Sequence, residues 1–323
     1  MSGVPEGELR TRNERWLIFA IAGYAVLVVA LMVGGGLEIH PDVLAVAFLL
    51  IAVLIGRTWL FLRDWVPFVV IFLAYELMRG IADEAGFPVH IDDVIGAERF
   101  LALGHLPTQL LQGWLAPPSG VGPAAIVATI LYMLHFALPV VTGFLLWLRR
   151  RPLYFEYVAA FIVLSFTGFI TFLLLPVAPP WYAANQGFLS GPDGLPVIDY
   201  LKPDAFAVIA AALGYPNGEQ LSSYIFFGVN PNSVAAFPSL HAGYPFLSFL
   251  VLRHAFGRIG WLALLYAIAV WWAVIFTGDH YLVDVLGGIA YATAAYCGTR
   301  LVIGRLSRRR TRVVAATPDR TPA

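Results

Sequence analysis

The chain alternates between long apolar runs and short polar turns. Eight runs are long enough, or nearly long enough, to cross a bilayer core, which takes about 20 apolar residues per helix. They lie at residues 16–34, 42–57, 65–79, 122–148, 154–175, 238–256, 259–277 and 280–303. The strict apolar–polar alternation typical of membrane β-strands is absent from these runs. The pattern therefore predicts an all-α fold, a polytopic transmembrane bundle of about eight helices.

Two longer segments, 80–121 and 176–237, separate these runs and are rich in Pro, Gly, Trp and acidic residues. Because both keep many apolar residues, we expect them to form short interfacial helices and loops packed on the membrane surface. The chain then divides into an N-terminal segment 1–15, a transmembrane domain 16–304 that carries the candidate chemistry, and a basic tail 305–323, for which we expect disorder.

The composition indicates an integral membrane protein. Only 12% of the 323 residues are charged and 59% are apolar, whereas a soluble domain has about 25% charged residues. The formal net charge of +0 gives no electrostatic support for a nucleic-acid partner. Cys297 is the only cysteine in the sequence, which excludes a disulfide framework and a cysteine-rich metal or iron–sulfur site.

The distribution of basic residues predicts an orientation. With both termini in the cytoplasm, 17 of the 20 Lys and Arg residues fall in cytoplasmic segments, as the positive-inside rule requires. The exceptions are Arg79, Arg99 and Lys202, which fall on the non-cytoplasmic side with the two long segments. Arg residues also precede the first run, as in a signal peptide, but the run is long enough to span and we favour an uncleaved helix.

Two histidines stand in informative surroundings. Pro238 suits a first helical position, which would put His241 in the first turn of the sixth span. The N–H groups and the positive dipole end of a helix N-terminus suit a phosphate, although a helix cap with a polar anchor would give the same pattern. His280 and Asp284 are four residues apart, so we expect them on one helix face at the start of the eighth span.

A carboxylate that accepts from one imidazole nitrogen fixes the tautomer and leaves the other nitrogen free as a base or nucleophile. An anchoring pair at a helix start would show the same spacing as His280 and Asp284. Because a second histidine-bearing helix start is predicted on the same side of the membrane, we favour a reactive site.

These residues belong to two motifs that resemble a known family. The stretch PSLHAG at 238–243, followed by GDHYLVD at 278–284, is similar to the second and third signature motifs of the type 2 phosphatidic acid phosphatase superfamily. The residues of these two motifs look most like those of the inositol phosphorylceramide synthase branch. The stretches FFG at 226–228 and PPWY at 179–182 fit that branch too.

The resemblance implies a mechanism. His280 would attack phosphorus and become a phosphohistidine, Asp284 would orient it, and His241 would protonate the leaving group. Backbone N–H groups near Ser239 and Leu240 would bind phosphate oxygens. Neither a metal ion nor another cofactor is expected.

The sequence also departs from the family pattern. The first motif, with its Lys and Arg-Pro pair, has no counterpart except Arg151-Pro152 on the cytoplasmic side, and Val274 stands where the third motif has an Arg. A transition state with charge on three phosphate oxygens still needs cationic or N–H donors. We expect Arg79 as the first replacement, oriented by Glu76 one turn earlier, and Lys202 as the second. Interfacial snorkelling is the alternative for Arg79.

Other polar residues have weaker signals. Asp279, Tyr281 and Glu76 are candidate pocket residues because they adjoin the predicted site. His135, within the fourth span, is either a pocket residue or a polar bridge between helices, and we favour the bridge slightly. The acidic stretch of the first long segment is expected to be a solvated surface; it comprises Asp83, Glu84, Asp92, Asp93 and Glu98.

The leading hypothesis is an integral membrane enzyme of the cell membrane that cleaves a lipid phosphoester on the non-cytoplasmic side. The substrate would be a lipid phosphate or a phospholipid. With water as acceptor the enzyme would be a phosphatase, and with an alcohol a phosphotransferase; the sequence leaves both open, together with the oligomeric state. A transporter or a lipid-binding membrane protein is the alternative, although the inverted repeat of many transporters is not visible.

Overall fold

The computed structural model describes residues 41–79, 86–117, 121–214, 217–219 and 233–316. The predicted first span and the FFG stretch at 226–228 lie outside the described residues. Eleven α-helices lie within them: α1 (Pro41–Leu54), α2 (Thr58–Arg79), α3 (Asp92–Leu101), α4 (Pro107–Leu115), α5 (Pro123–Arg149), α6 (Arg151–Leu174), α7 (Pro180–Asn185), α8 (Leu201–Ala212), α9 (Leu240–Phe256), α10 (Trp261–Phe276) and α11 (Leu282–Ala316).

The described residues form an all-helical protein, as predicted. Two stretches among them are long and apolar enough to cross a membrane, Arg151–Leu174 and Leu240–Phe276, and the second includes the 3₁₀ turn Gly257–Gly260. The two halves of α5, which are bent by 44°, would add a third. The chain is therefore an integral membrane protein, and the total of about eight spans stays a prediction.

The bend in α5 has a local cause. Pro139 lies inside this helix, and a proline has no N–H to donate to the carbonyl four residues earlier, which belongs to His135. The proline ring also clashes with that carbonyl. The bend therefore falls beside a buried histidine that the sequence marks as a candidate pocket residue.

Helix α9 is the centre of the bundle and packs against α5, α6, α10 and α11. Its contacts with α6 run in opposite directions along the two helices. The Ser165 hydroxyl lies 2.9 Å from the Tyr244 hydroxyl, and the Tyr157 hydroxyl lies 3.2 Å from that of Ser248. The start of α9 therefore lies near the end of α6, far from Arg151.

Helix α2 begins before the predicted run 65–79 because the polar residues at its start are satisfied. Arg151 donates two hydrogen bonds to the buried carboxylate of Asp64, at 2.6 and 2.8 Å, and the Trp147 indole donates a third at 3.0 Å. The Arg-Pro pair that resembles part of the family's first motif lies at the start of α6, remote from the start of α9. Its Arg151 is thus committed to a structural ion pair with Asp64.

Helix α11 differs from its prediction at both ends. It begins at Leu282 and continues through Ala316, past residue 305, where we expected a disordered tail. Arg has a high helix propensity, so a run of Arg residues extends a helix rather than ending it. The expectation of disorder is therefore wrong for residues 305–316.

Short helices and isolated β-bridges occupy the two long segments. Helices α3 and α4 fall in the first segment, and α7 and α8 in the second. Val177 makes bridges to both His90 and Ala235, which ties the two segments together. Their position relative to the membrane surface stays a prediction.

Candidate active site

The PSLHAG stretch at 238–243 forms the start of α9. Ser239 is the N-cap residue, and its side chain accepts a hydrogen bond from the Ala242 amide at 3.2 Å. Pro238 therefore precedes the cap rather than occupying the first helical position, because serine supplies the acceptor that a helix start needs. His241 lies in the first turn, as predicted.

Glycines bring this helix start against α11. A Cβ at Gly288 would lie 2.1 Å from the Ser239 carbonyl oxygen, and a Cβ at Gly287 would lie 2.4 Å from the Phe237 ring. Only glycine allows so close an approach, as in other small-residue contacts between membrane helices. The Ser239 amide also donates to the Asp284 carbonyl oxygen at 3.0 Å. These contacts bring the two motifs together.

His280 lies in the turn between α10 and α11, two residues before the helix begins, and not on the helix face that we predicted. The turn depends on Gly278, which has a φ of +85°, a value that glycine adopts without strain. The contact predicted from the spacing is nevertheless present, because His280 Nδ1 lies 3.5 Å from Asp284 Oδ2.

The two histidine rings meet. His241 Nδ1 lies 2.9 Å from His280 Nε2, and the ring centroids are 5.1 Å apart. His241 Nε2 lies 3.2 Å from the Tyr132 hydroxyl, and the Tyr132 ring stacks on the His241 ring at 4.9 Å. The sequence analysis did not single out Tyr132, although it lies three residues before His135 on the same helix.

One set of tautomers satisfies all of these contacts. Tyr132 donates its hydroxyl proton to His241 Nε2, His241 donates Nδ1–H to His280 Nε2, and His280 directs Nδ1–H at Asp284. In this arrangement His280 Nε2 carries a lone pair that points at a proton donor. The site can therefore supply a nucleophile at His280 Nε2, and beside it an acid when His241 takes up a second proton.

His135 lies next to this pair of rings. Its ring centroid is 4.6 Å from that of His241, and its Nδ1 lies 2.7 Å from the Tyr132 carbonyl oxygen. The ring is buried. His135 thus contacts the site residues. Its two predicted roles, the slightly favoured polar bridge between helices and a place in a substrate pocket, both stay predictions.

Lys202 is buried against the ring of Tyr132. Its ammonium forms an ion pair with Asp279 and lies 3.5 Å from the centroid of the Tyr132 ring. The Asp279 carboxylate also accepts hydrogen bonds from the hydroxyls of Thr277, at 2.6 Å, and Tyr200, at 3.3 Å. Burial alone would lower the pKa of Lys202, but the attraction of Asp279 and the two tyrosines outweighs it and raises that pKa. Lys202 is a permanent positive charge beside the histidines.

The remaining predicted residues are arranged as follows. The Ser239 amide donates to the Asp284 carbonyl oxygen, whereas Leu240 is the first residue of α9 and its amide lies outside the intrahelical ladder. Binding of phosphate near Ser239 and Leu240 stays a prediction. The Tyr281 side chain is packed in a cluster with Val94 and Ile95 of α3.

Arg79, oriented by Glu76, is the first predicted replacement for the missing motif cations. Arg79 is the last residue of α2. The side chains of Arg79 and Glu76 lie outside the described residues, so their place in the site stays a prediction.

The prediction that the acidic stretch of the first long segment is a solvated surface is wrong for Glu98. It is 0% exposed, and its two carboxylate oxygens accept hydrogen bonds from the amides of Leu282, at 2.9 Å, and Val283, at 3.0 Å. Burial raises the pKa of Glu98, the two amides lower it, and Asp284 raises it, with a net increase. The sequence gives no signal for this contact because the partners are far apart in the chain.

Residues 92–298 match the family model described as the PAP2 superfamily, named after type 2 phosphatidic acid phosphatases. The chain belongs to the PAP2 superfamily. The matched region contains the two histidines and Asp284, and it begins after α2, so that Arg79 lies outside it. The family predicted from the two motifs is confirmed.

Several curated relatives are similar to this chain. A phosphoinositol dihydroceramide synthase of Bacteroides thetaiotaomicron is 28% identical over 243 residues, which cover 70% of this chain and 72% of the relative. An inositol phosphorylceramide synthase of Candida albicans is 31% identical over 48% of this chain and 31% of its own length. The catalytic subunit of that synthase from Schizosaccharomyces pombe is 28% identical over 51% of this chain and 37% of its own length.

These relatives belong to the branch that the motif wording predicted. The chain spans about a third of the length of the two fungal relatives and most of the bacterial one. No solved structure matches the chain significantly.

Proposed function

We propose that the protein is a lipid phosphotransferase that moves a phospho-headgroup from a phospholipid to the hydroxyl of a ceramide-like lipid. The observation that carries the proposal is the contact of His241 Nδ1 with His280 Nε2 at 2.9 Å, backed by Asp284. The names of the relatives point to a phosphoinositol group and a ceramide or dihydroceramide acceptor.

In the first step His280 Nε2 attacks the phosphorus of the donor lipid. The bond from phosphorus to the diacylglycerol oxygen breaks. His241, which carries protons on both ring nitrogens when the donor is bound, gives its Nδ1 proton to that oxygen and becomes neutral. The headgroup phosphate is then bonded to His280, whose Nδ1 proton is held by Asp284. Phosphorus enters between the two rings, so the hydrogen bond between them opens when the donor binds.

In the second step the acceptor hydroxyl takes the place of the departed diacylglycerol. His241 removes the hydroxyl proton, the oxygen attacks phosphorus, and the bond from phosphorus to His280 breaks. The two steps use His241 first as an acid and then as a base. Both imidazoles return to their starting protonation states.

Three groups support the charge that develops on the phosphate oxygens. The Lys202 ammonium is fixed beside Tyr132. The amide of Leu240 and the positive dipole end of α9 lie at the same helix start as His241. Arg79 is the further candidate. Donors of this kind act strongly in a site from which water is excluded.

Burial of the site favours an alcohol acceptor over water. His280 is 4% exposed and Asp284 is 0% exposed, so bulk water has little access to the phosphohistidine. A phosphatase reaction with water as acceptor is the second candidate. The distribution of basic residues supports a site on the non-cytoplasmic side, with both termini in the cytoplasm.

The test uses the full-length protein in liposomes that contain phosphatidylinositol and a fluorescent short-chain dihydroceramide. We expect a fluorescent product that carries phosphoinositol, without release of inorganic phosphate or inositol phosphate. His280→Ala should abolish the product. His254→Ala is the matched control, because His254 lies exposed in the last turn of α9, the helix that carries His241.

Two results would contradict the proposal. Product formation by His280→Ala at the wild-type rate would show that His280 is not the nucleophile. Release of inositol phosphate without lipid product would favour a hydrolase.

A further inference from the structure

The first turn of α11 is capped by two carboxylates. The Tyr281 amide donates to Asp284 Oδ2 at 2.8 Å, while the amides of Leu282 and Val283 donate to Glu98. A side chain at the third helical position that bonds back to the residue before the helix is one half of a capping box. Tyr281 has no short polar side chain to form the other half, and Glu98 of α3 supplies the acceptors instead.

This capped turn is the segment that carries the candidate catalytic pair. His280 directly precedes Tyr281, and Asp284 directly follows Val283. One oxygen of Asp284, Oδ2, contacts both the Tyr281 amide and His280 Nδ1. Any change in the path of residues 281–283 therefore changes the distance between His280 and Asp284.

Helix α3 holds Glu98 firmly in this position. Val94 and Ile95, on the same buried side of α3, pack in one cluster with Tyr281 and Val177. The cluster joins the first long segment, the second long segment and the turn before α11. Glu98 is thus presented by a packed helix and not by a free side chain on a loop.

Stability alone does not account for a carboxylate in this place. An ionised group costs free energy when it is buried, and two amide donors and a helix N-terminus offset only part of that cost. The net rise in the pKa of Glu98 has the same meaning, because burial outweighs the amides. A neutral residue that packed well would serve stability at neutral pH at least as well.

We propose that Glu98 is a positioning residue of the transferase site, which holds the first turn of α11 so that Asp284 meets His280. The inference rests on the proposed function, because it needs His280 and Asp284 to be the reactive pair. Glu98 does not touch the substrate, and its effect on the reaction passes through the amides of Leu282 and Val283.

The test compares Glu98→Gln with the wild type in the liposome assay with phosphatidylinositol and fluorescent dihydroceramide. Glutamine keeps the length but offers one acceptor oxygen, so one of the two amides loses its partner. We expect kcat to fall about 10- to 100-fold with KM within about twofold, since small displacements of reacting groups have effects of this size. A wild-type kcat would overturn the proposal.

Asp64→Asn is the matched control for a purely structural effect. Asp64 is also a buried carboxylate with several hydrogen bonds, but it lies in α2 beside Arg151 at the start of α6, remote from His241. This variant should lower the thermal midpoint and leave kcat unchanged. If Asp64→Asn and Glu98→Gln lose kcat in proportion to their loss of thermal midpoint, Glu98 is only structural and the proposal fails.

A double-mutant cycle with Asp284→Asn tests whether Glu98 acts through Asp284. The loss from Glu98→Gln should shrink to less than about twofold in the Asp284→Asn background, because the group that it positions has gone. Losses that multiply would overturn the proposal. If Glu98→Gln does not fold, Glu98→Asp replaces it; this change draws the oxygens back by one methylene, and a wild-type kcat would again contradict the proposal.

His280→Ala in the same assay separates this inference from the proposed function. If His280→Ala keeps activity, the proposed function fails and the role of Glu98 fails with it. If His280→Ala is inactive while Glu98→Gln has a wild-type kcat, only the role of Glu98 fails.

Discussion

At the residue scale, the site consists of side chains whose hydrogen bonds leave one reactive nitrogen. Asp284 Oδ2 lies 3.5 Å from His280 Nδ1, and the Tyr132 hydroxyl lies 3.2 Å from His241 Nε2. The remaining ring nitrogens face each other at 2.9 Å. The two histidines and Asp284 could be predicted from their motifs. Tyr132 could not, because a tyrosine in an apolar span is usually a packing residue and no spacing rule links it to His241.

Tyr132→Phe should lower kcat about 10-fold with little change in KM. The variant keeps the ring that stacks on His241 and loses only the hydroxyl that hydrogen-bonds to His241 Nε2 and orients the ring of the general acid. Steady-state rates in liposomes provide the measurement. Tyr266→Phe is the control, because its hydroxyl donates a similar hydrogen bond to the Leu131 carbonyl oxygen at 3.1 Å, and it should keep the wild-type rate.

The burial of Glu98 predicts a pH-dependent difference in stability. Its folded-state pKa is raised above the ordinary value of 4.5, so its favourable contribution is complete below about pH 4.5 and is lost as the pH rises through the folded-state pKa. Thermal midpoints in detergent should therefore move in favour of Glu98→Gln, relative to the wild type, as the pH rises from about 4 to 8. If the difference in thermal midpoint between Glu98→Gln and the wild type is the same at every pH, Glu98 does not have the raised pKa of a buried carboxylate.

At the scale of elements, the apolar runs predicted α5, α6, α9 and α10 closely, because an apolar run bounded by Pro, Gly or Arg is sufficient to define a membrane helix. They did not predict where α11 begins. That start depends on Glu98, which belongs to another helix, and on the backbone of Gly278. Helix caps supplied by distant parts of the chain leave no local pattern in a sequence.

Gly288→Ala should abolish transfer. The added Cβ would lie 2.1 Å from the Ser239 carbonyl oxygen, so α9 and α11 must move apart and separate the two histidines. The cost in stability should be about 1–3 kcal/mol, as for other overpacked sites, and is measured by thermal unfolding in detergent beside the transfer assay.

Gly298→Ala is the matched control on the same helix. A Cβ at this position has no neighbour within 4 Å, so the variant should keep its activity and gain slightly in stability through the higher helix propensity of alanine. Equal activities of the two alanine variants would refute the importance of the close helix contact.

At the scale of the whole molecule, composition alone indicated a membrane protein, and the distribution of Arg predicted its orientation. The sequence could not predict how the two long segments fold together. They meet through the bridges of Val177 and through Gln112, whose side-chain amide donates to the carbonyl oxygens of Asp199 and Phe276 at 2.8 Å each. Contacts of this kind depend on the finished packing.

The orientation can be tested with single cysteines. Cys297 is exchanged for serine, and a cysteine is introduced at Ser190, which lies exposed in the second long segment, or at Ser307, which lies exposed near the end of α11. An impermeant maleimide should label Ser190→Cys in intact spheroplasts and should label Ser307→Cys only after lysis. The reverse pattern would place the site on the cytoplasmic side.

The identity of the covalent intermediate tests the central claim most directly. The protein is incubated with phosphatidylinositol that carries radiolabelled inositol, without an acceptor lipid, and is quenched under alkaline conditions that preserve phosphohistidine. Peptide mapping by mass spectrometry should find the phosphoinositol group on His280 and on no other residue, and later addition of dihydroceramide should remove it. Label on a different residue, or an active enzyme that never carries label, would contradict the account.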